Sequence, residues 1–220
     1  MEYEGEFLFN KKWNRKGYDQ KGNQIYELNN GTGSVKYYYN NGYLIFEGGY
    51  LFGLRNGTIK EYNRFGTLVF EGEYLNDEKN GNGKEYNDYG ELRFEGEYFN
   101  GKKWNGKGYD PTKNVIYELK EGNGFIKEYN NEGTLIFEGE VVQGKKNGKG
   151  KAYNYYGRLI YEGDYLNGTK NGIGKEYYSK NYYYVGTFLN GKKSGKGKIY
   201  SENEIIFEGE FLNDEKLKKP

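Results

Sequence analysis

The sequence predicts an all-β chain of stacked β-hairpins, on three observations. An aromatic residue, mostly followed by "EG", recurs at Tyr3, Tyr26, Phe46, Phe70, Phe94, Tyr117, Phe137, Tyr161, Tyr184 and Phe207, at spacings of 23, 20, 24, 24, 23, 20, 24, 23 and 23. Around each start the apolar residues alternate with polar ones, the period of a strand. "NG" pairs, a strong signal for a tight hairpin turn, punctuate the units.

In "TLVFEGEYL", residues two apart share a face, so Leu68, Phe70, Gly72 and Tyr74 point one way and Val69, Glu71, Glu73 and Leu75 the other. "NDEKNG" follows as a loop, "NGKEYN" as a second strand and "DYGE" as a turn into the next unit. Each unit is one hairpin. A second aromatic lies inside each full unit, at Tyr18, Tyr38, Tyr62, Tyr86, Tyr109, Tyr129, Tyr153, Tyr177 and Tyr200, and the next start follows it by 8 residues seven times and 7 residues twice. The units at Tyr26 and Tyr117 place only 12 residues between their two aromatics, where most have 15 or 16. Losing four residues can shorten each arm by two, which preserves the face of every side chain. The 15-residue units at Tyr3 and Phe94 require a changed loop or a bulge instead. A longer duplication overlies the repeat: residues 3–63 recur as 94–154, so that "KKWNRKGYD" matches "KKWNGKGYD". The whole chain, 1–220, is expected to be one array of nine to ten units.

Composition narrows the function classes. The chain is 35% hydrophobic with a mean hydropathy of -1.09, too polar for a conventional core, yet its 27 Tyr and 13 Phe are too many for a disordered polymer. It has no Cys and no His, which removes thiolate nucleophiles, the usual metal ligands and the usual general base. No catalytic residue, metal or cofactor is expected. A net charge of +1 gives no long-range attraction for nucleic acid, and none is expected as a partner. The N-terminus "MEYEGEFLF" lacks the basic start and apolar middle of a secretion signal, and no apolar run is long enough to cross a bilayer, so the expected location is cytoplasmic, at a membrane or the cytoskeleton.

The units resemble MORN repeats, in which an aromatic, any residue and Gly precede a spacer and a Gly-any-Gly pair: "FEGEYLNDEKNGNG" from Phe70, "FEGEVVQGKKNGKG" from Phe137, "YEGDYLNGTKNGIG" from Tyr161 and "YVGTFLNGKKSGKG" from Tyr184. The resemblance implies an elongated, twisted, single-layer antiparallel sheet with aromatics lining a concave groove. It also implies a scaffold that binds a partner protein or peptide along that groove, dimerises through its end repeats and in some cases associates with anionic phospholipid. A carbohydrate- or choline-reading module and an antitoxin-like protein are further alternatives. The units at Tyr26 and Tyr117 depart from the pattern, with "YEL" in place of aromatic-any-Gly.

Three groups of candidate site residues follow. The groove aromatics Tyr50, Tyr74, Tyr98 and Tyr165 are expected to form an exposed row that both holds the sheet together and binds a partner. Trp13 and Trp104, equivalent across the duplication, are candidate partner anchors, against the plainer reading that they pack on Tyr18 and Tyr109. Lys102, Lys103, Lys145, Lys146, Lys192 and Lys193 are expected to recur on one edge of the sheet, where they face phosphate headgroups or an acidic peptide. The glutamates of the "EGE" stretches are expected to meet lysines of adjacent strands on the opposite face.

Overall fold

The computed structural model describes residues 2–8, 11–19 and 21–217, and forms two compact units, Met1–Val115 and Ile116–Pro220. The side chain of Tyr3, one of the repeat-start rings, lies outside the described residues. The first unit contains β1 (Glu2–Leu8), β2 (Lys11–Tyr18), β3 (Gln24–Leu28), β4 (Gly33–Tyr38), β5 (Leu44–Leu51), β6 (Leu54–Tyr62), β7 (Leu68–Leu75), β8 (Glu78–Tyr86), β9 (Leu92–Phe99) and β10 (Lys102–Tyr109). Starting at the boundary come β11 (Val115–Leu119), β12 (Gly124–Tyr129), β13 (Leu135–Val142), β14 (Lys145–Tyr153), β15 (Leu159–Leu166), β16 (Thr169–Tyr177), β17 (Tyr182–Leu189), β18 (Lys192–Ser201), β19 (Glu204–Leu212) and β20 (Glu215–Lys216). No helix occurs among the described residues.

All pairings described are antiparallel and follow chain order, as consecutive hairpins require. The strands fall into three sheets, none of them closed, where one continuous sheet was expected. The breaks lie inside the two shortened units, between β3 and β4 and between β11 and β12. Their five- and six-residue arms make only the isolated bridges Asn29 to Thr32 and Lys120 to Asn123 at the turn. Removing residues in pairs kept the faces but left too little arm for a ladder.

The 15-residue unit at Phe94 shows where an odd deletion is absorbed. In the 16-residue unit at Phe70, Glu73 bulges against Asn80, Gly81 and Asn82, because Gly72 pairs with Gly83 and Tyr74 with Lys79. At Phe94 the same bulge has one residue fewer: Gly96 pairs with Gly106, Glu97 with Asn105 and Tyr98 with Lys103. A bulge can lose a residue without changing the alternation on either side of it.

Neighbouring turns are tied by backbone hydrogen bonds. The Asp77 N–H donates to the Arg55 carbonyl at 3.0 Å, Gly101 to Lys79 at 2.9 Å, Gly168 to Lys146 at 2.8 Å and Gly191 to Lys170 at 2.8 Å. Each turn is thereby held one strand pair from the last, and side chains at equivalent positions form rows across the sheet.

Candidate binding faces

The first of these rows is aromatic. Where an aromatic stands four residues after the start ring, the two pack edge-to-face: Phe70 on Tyr74 at 5.8 Å, Phe94 on Tyr98 at 5.4 Å, Tyr161 on Tyr165 at 5.3 Å and Tyr184 on Phe188 at 5.3 Å. Phe70, Phe137, Tyr161 and Tyr184 also meet the ring at that position in the following unit, Phe137 meeting Tyr165 at 5.5 Å and Tyr161 meeting Phe188 at 5.2 Å. Such pairs contribute roughly 0.5–1.5 kcal/mol each beyond their buried area.

A row of glycines lets the rings lie against the sheet. In the second unit Gly139, Gly150, Gly163, Gly174, Gly186, Gly197 and Gly209 pair in succession across seven strands. A Cβ at Gly174 would stand 2.5 Å from Tyr161 Oη, and one at Gly150 would stand 3.0 Å from two carbons of the Phe137 ring.

A cation closes the rings from the other side. It comes nine residues after the start ring, at the head of the second strand: Lys79 lies 3.7 Å from the Phe70 centroid, Lys146 3.7 Å from Phe137, Lys170 4.7 Å from Tyr161 and Lys216 4.6 Å from Phe207. Glutamates bind these cations in turn. Lys103 pairs with Glu85 at 2.7 Å, Lys146 with Glu128 at 2.8 Å and Lys193 with Glu176 at 2.6 Å, while Tyr74 Oη donates to Glu61 at 2.8 Å. Burial pushes the Glu176 carboxyl up, but hydrogen bonds from Lys170 and Lys193 outweigh it and hold the group below the usual carboxylate range.

These layers correct the expected exposed aromatic groove. Tyr74, Tyr98 and Tyr165 are 5%, 4% and 9% exposed, and Tyr50 is half-buried. Burial raises the hydroxyls of Tyr50 and Tyr165 to about 12. These side chains form a thin core, in which neighbouring rings cover one another and a cation and a carboxylate join them over Tyr74 and Tyr98. The lysine pairs divide in the same way. Lys103, Lys146 and Lys193 are turned onto the Phe94, Phe137 and Tyr184 rings, so half of the basic edge belongs to the core; Lys145 and Lys192 are exposed and Lys102 is half-buried. Trp104 packs on Phe99 at 5.2 Å, in place of the expected Tyr109, and Trp13 is half-buried with its carbonyl accepting from the Gly31 N–H.

The opposite face carries a ladder of alternating charge. In the first unit Lys60, Glu71, Lys84, Glu95 and Lys107 are successive cross-strand partners, and Lys84 binds Glu95 at 3.1 Å. In the second the succession is Lys127, Glu138, Lys151, Glu162, Lys175, Val185, Lys198 and Glu208. Beside it the second aromatic of each unit donates its hydroxyl to that unit's ladder glutamate: Tyr62 to Glu47, Tyr86 to Glu71, Tyr153 to Glu138 and Tyr177 to Glu162.

On this face the second unit has a groove of about 550 Å³, floored by Gly150, Gly163 and Gly174 and flanked by Phe125, Ile173 and Val185. Phe125 and Ile173 are 52% and 64% exposed, beside the charge ladder. Sequence reasoning missed both. The signal was available: Ile173 stands between the two glycines of "NGIG", where the "NGNG" and "NGKG" units have Asn82 and Lys149.

A family model described as MORN repeat matches residues 70–90, 137–153, 161–181 and 184–204, beginning at the start rings Phe70, Phe137, Tyr161 and Tyr184. No curated protein matches the chain. A chain of the solved structure "Crystal Structure of TcdB2-TccC3-Cdc42" is similar at 14% identity with a TM-score of 0.23, over 84% of this chain and 9% of that one. This chain therefore spans about a tenth of that protein's length, and nothing about its fold or function follows from so slight a likeness.

Proposed function

This chain carries MORN repeats, which are commonly scaffolds that bind proteins or membranes, and from that premise we propose that it is a non-enzymatic scaffold for a partner polypeptide. The partner docks on the ladder face of the second unit rather than on the aromatic face. The observation that carries this reading is the pair of exposed apolar side chains, Phe125 and Ile173, beside a glycine-floored groove whose other walls include Glu138, Lys151, Glu162 and Lys175. Apolar anchors surrounded by a polar rim are the common composition of a protein-binding site. The aromatic face offers less, because its rings are already covered by lysine and arginine side chains.

Cross-linking from position 173 tests the reading. A photoreactive residue at Ile173 should capture a discrete protein in lysate of the cells that make this chain. The double variant Phe125→Ser with Ile173→Ser should retain that protein at least about tenfold less, at an unchanged melting temperature, as expected for loss of two apolar anchors. Unchanged retention in the folded double variant would overturn it.

A further inference from the structure

The ladder of the second unit lacks one carboxylate. At the nine other repeat starts the residue after the aromatic is Glu, and at Tyr184 it is Val185. Val185 is the direct cross-strand partner of Lys175 on one side and Lys198 on the other, so two lysines flank a side chain that can pair with neither. The eight-residue succession from Lys127 to Glu208 accordingly holds four lysines and three glutamates. Lys198 reaches Glu208 at 3.1 Å, whereas the Lys175 ammonium lies 3.8 Å from the Tyr183 ring centroid and 4.6 Å from that of Tyr177.

The tyrosine row beside the ladder changes at the same place. Each of the four hydroxyls described above has a glutamate of its own unit to bind. Tyr200 finds Val185 there, which accepts no hydrogen bond. Tyr200 stacks instead on Tyr183, at 4.9 Å and 17° between planes. The position thus has an apolar floor, a lysine on either side and a phenol at the end, the surroundings that the other units give a glutamate carboxylate.

We propose that a carboxylate of an acidic partner segment completes the ladder at Val185, bound between Lys175 and Lys198 and accepting from Tyr200 Oη. This rests on the scaffold reading and names the partner chemistry: an extended polypeptide bearing Glu or Asp, whose acidic side chain sits at the end of the groove that Val185 helps to line. Charge complementarity selects that occupant, since an incoming carboxylate restores the alternation that the rest of the ladder keeps.

Val185→Glu gives a test that does not depend on damaging the fold, because it supplies the residue every other unit has. The probe is a short fluorescein-labelled peptide of alternating Thr and Glu, with the Thr-Gln peptide as control, read by anisotropy. The wild type should bind the Glu peptide saturably and the Gln peptide at least about tenfold more weakly, the range of one charge-assisted hydrogen bond. Val185→Glu should lower affinity for the Glu peptide by at least about tenfold, with a melting temperature unchanged or raised, whereas Val185→Gln should retain more of it. Equal binding by wild type and Val185→Glu, equal binding of the two peptides, or binding of phosphatidylserine vesicles without any peptide binding would overturn the proposal. A cross-linked partner lost in the Phe125 and Ile173 variant but unaffected by Val185→Glu would overturn the missing rung alone. A partner unaffected by either would overturn the scaffold reading too.

Discussion

Phe46 and Tyr161 both open units with 16 residues between their two aromatics, yet the ring row behaves differently at the two. At Tyr161 the ring lies against Gly174 and meets Phe188 of the following unit at 5.2 Å. At Phe46 the position corresponding to Gly174 is Ile59, fully buried, with its side chain against Gly48. The isoleucine occupies the space a flat ring would need. Phe46 packs on Tyr37 and Tyr50 at 6.3 and 6.0 Å, and Tyr74 carries the Arg55 guanidinium 4.6 Å over its ring. A hydrogen at Gly174 against the four-carbon side chain of Ile59 therefore separates a continuous row of rings from a mixed aliphatic and cation-capped cluster.

Breaking the continuous row should have the largest effect. Tyr161→Ala removes a fully buried ring that contacts two others, and should destabilise the second unit by about 3–5 kcal/mol in denaturant unfolding. A loss under about 1 kcal/mol would mean that the row does not act as a core.

Gly174→Ala sharpens the comparison by moving the second unit toward the state around Ile59. The new methyl would overlap the Tyr161 ring, for an expected cost of about 1–3 kcal/mol and a changed near-ultraviolet circular dichroism signal from displaced tyrosines. A neutral result would show that the ring moves freely off the glycine row. The smallest effect belongs to the other face. Lys84→Met removes an exposed ladder pair with Glu95 and should leave the melting temperature nearly unchanged, with a difference that shrinks further in high salt.

The strands and their faces were legible in the sequence, because a period of two and a fixed repeat length leave few ways to thread a hairpin; the bulge, expected only as one option for the 15-residue units, is present in the 16-residue units too. The even loss at Tyr26 and Tyr117 also read correctly as a shortened arm, although the resulting break in the sheet depended on how much ladder five- and six-residue strands can make. The burial of Tyr74, Tyr98 and Tyr165 was hidden. Strand parity puts these rings on one face but does not say what covers that face: the start rings stand edge-on to them, Arg55 lies over Tyr74, and Lys79, whose place in the sequence reads as loop, lies over Tyr98. Val185 was visible as the one departure from aromatic-Glu-Gly in "YVGTF", but its meaning needs the register that sets Lys175 and Lys198 on either side.

Alkaline titration of the tyrosines, followed by ultraviolet absorbance beside backbone circular dichroism, tests most directly that the aromatic row is a core rather than a binding surface. Burial raises Tyr165 and Tyr184 to about 12 in the folded chain, against 10 for the free side chain. Groups raised in this way lend stability that is complete below pH 10 and lost as pH climbs toward 12. Tyr165 and Tyr184 should therefore ionise in one late step together with loss of the sheet. Ionisation of all the tyrosines in a single transition near 10, with the sheet signal unchanged, would contradict the account.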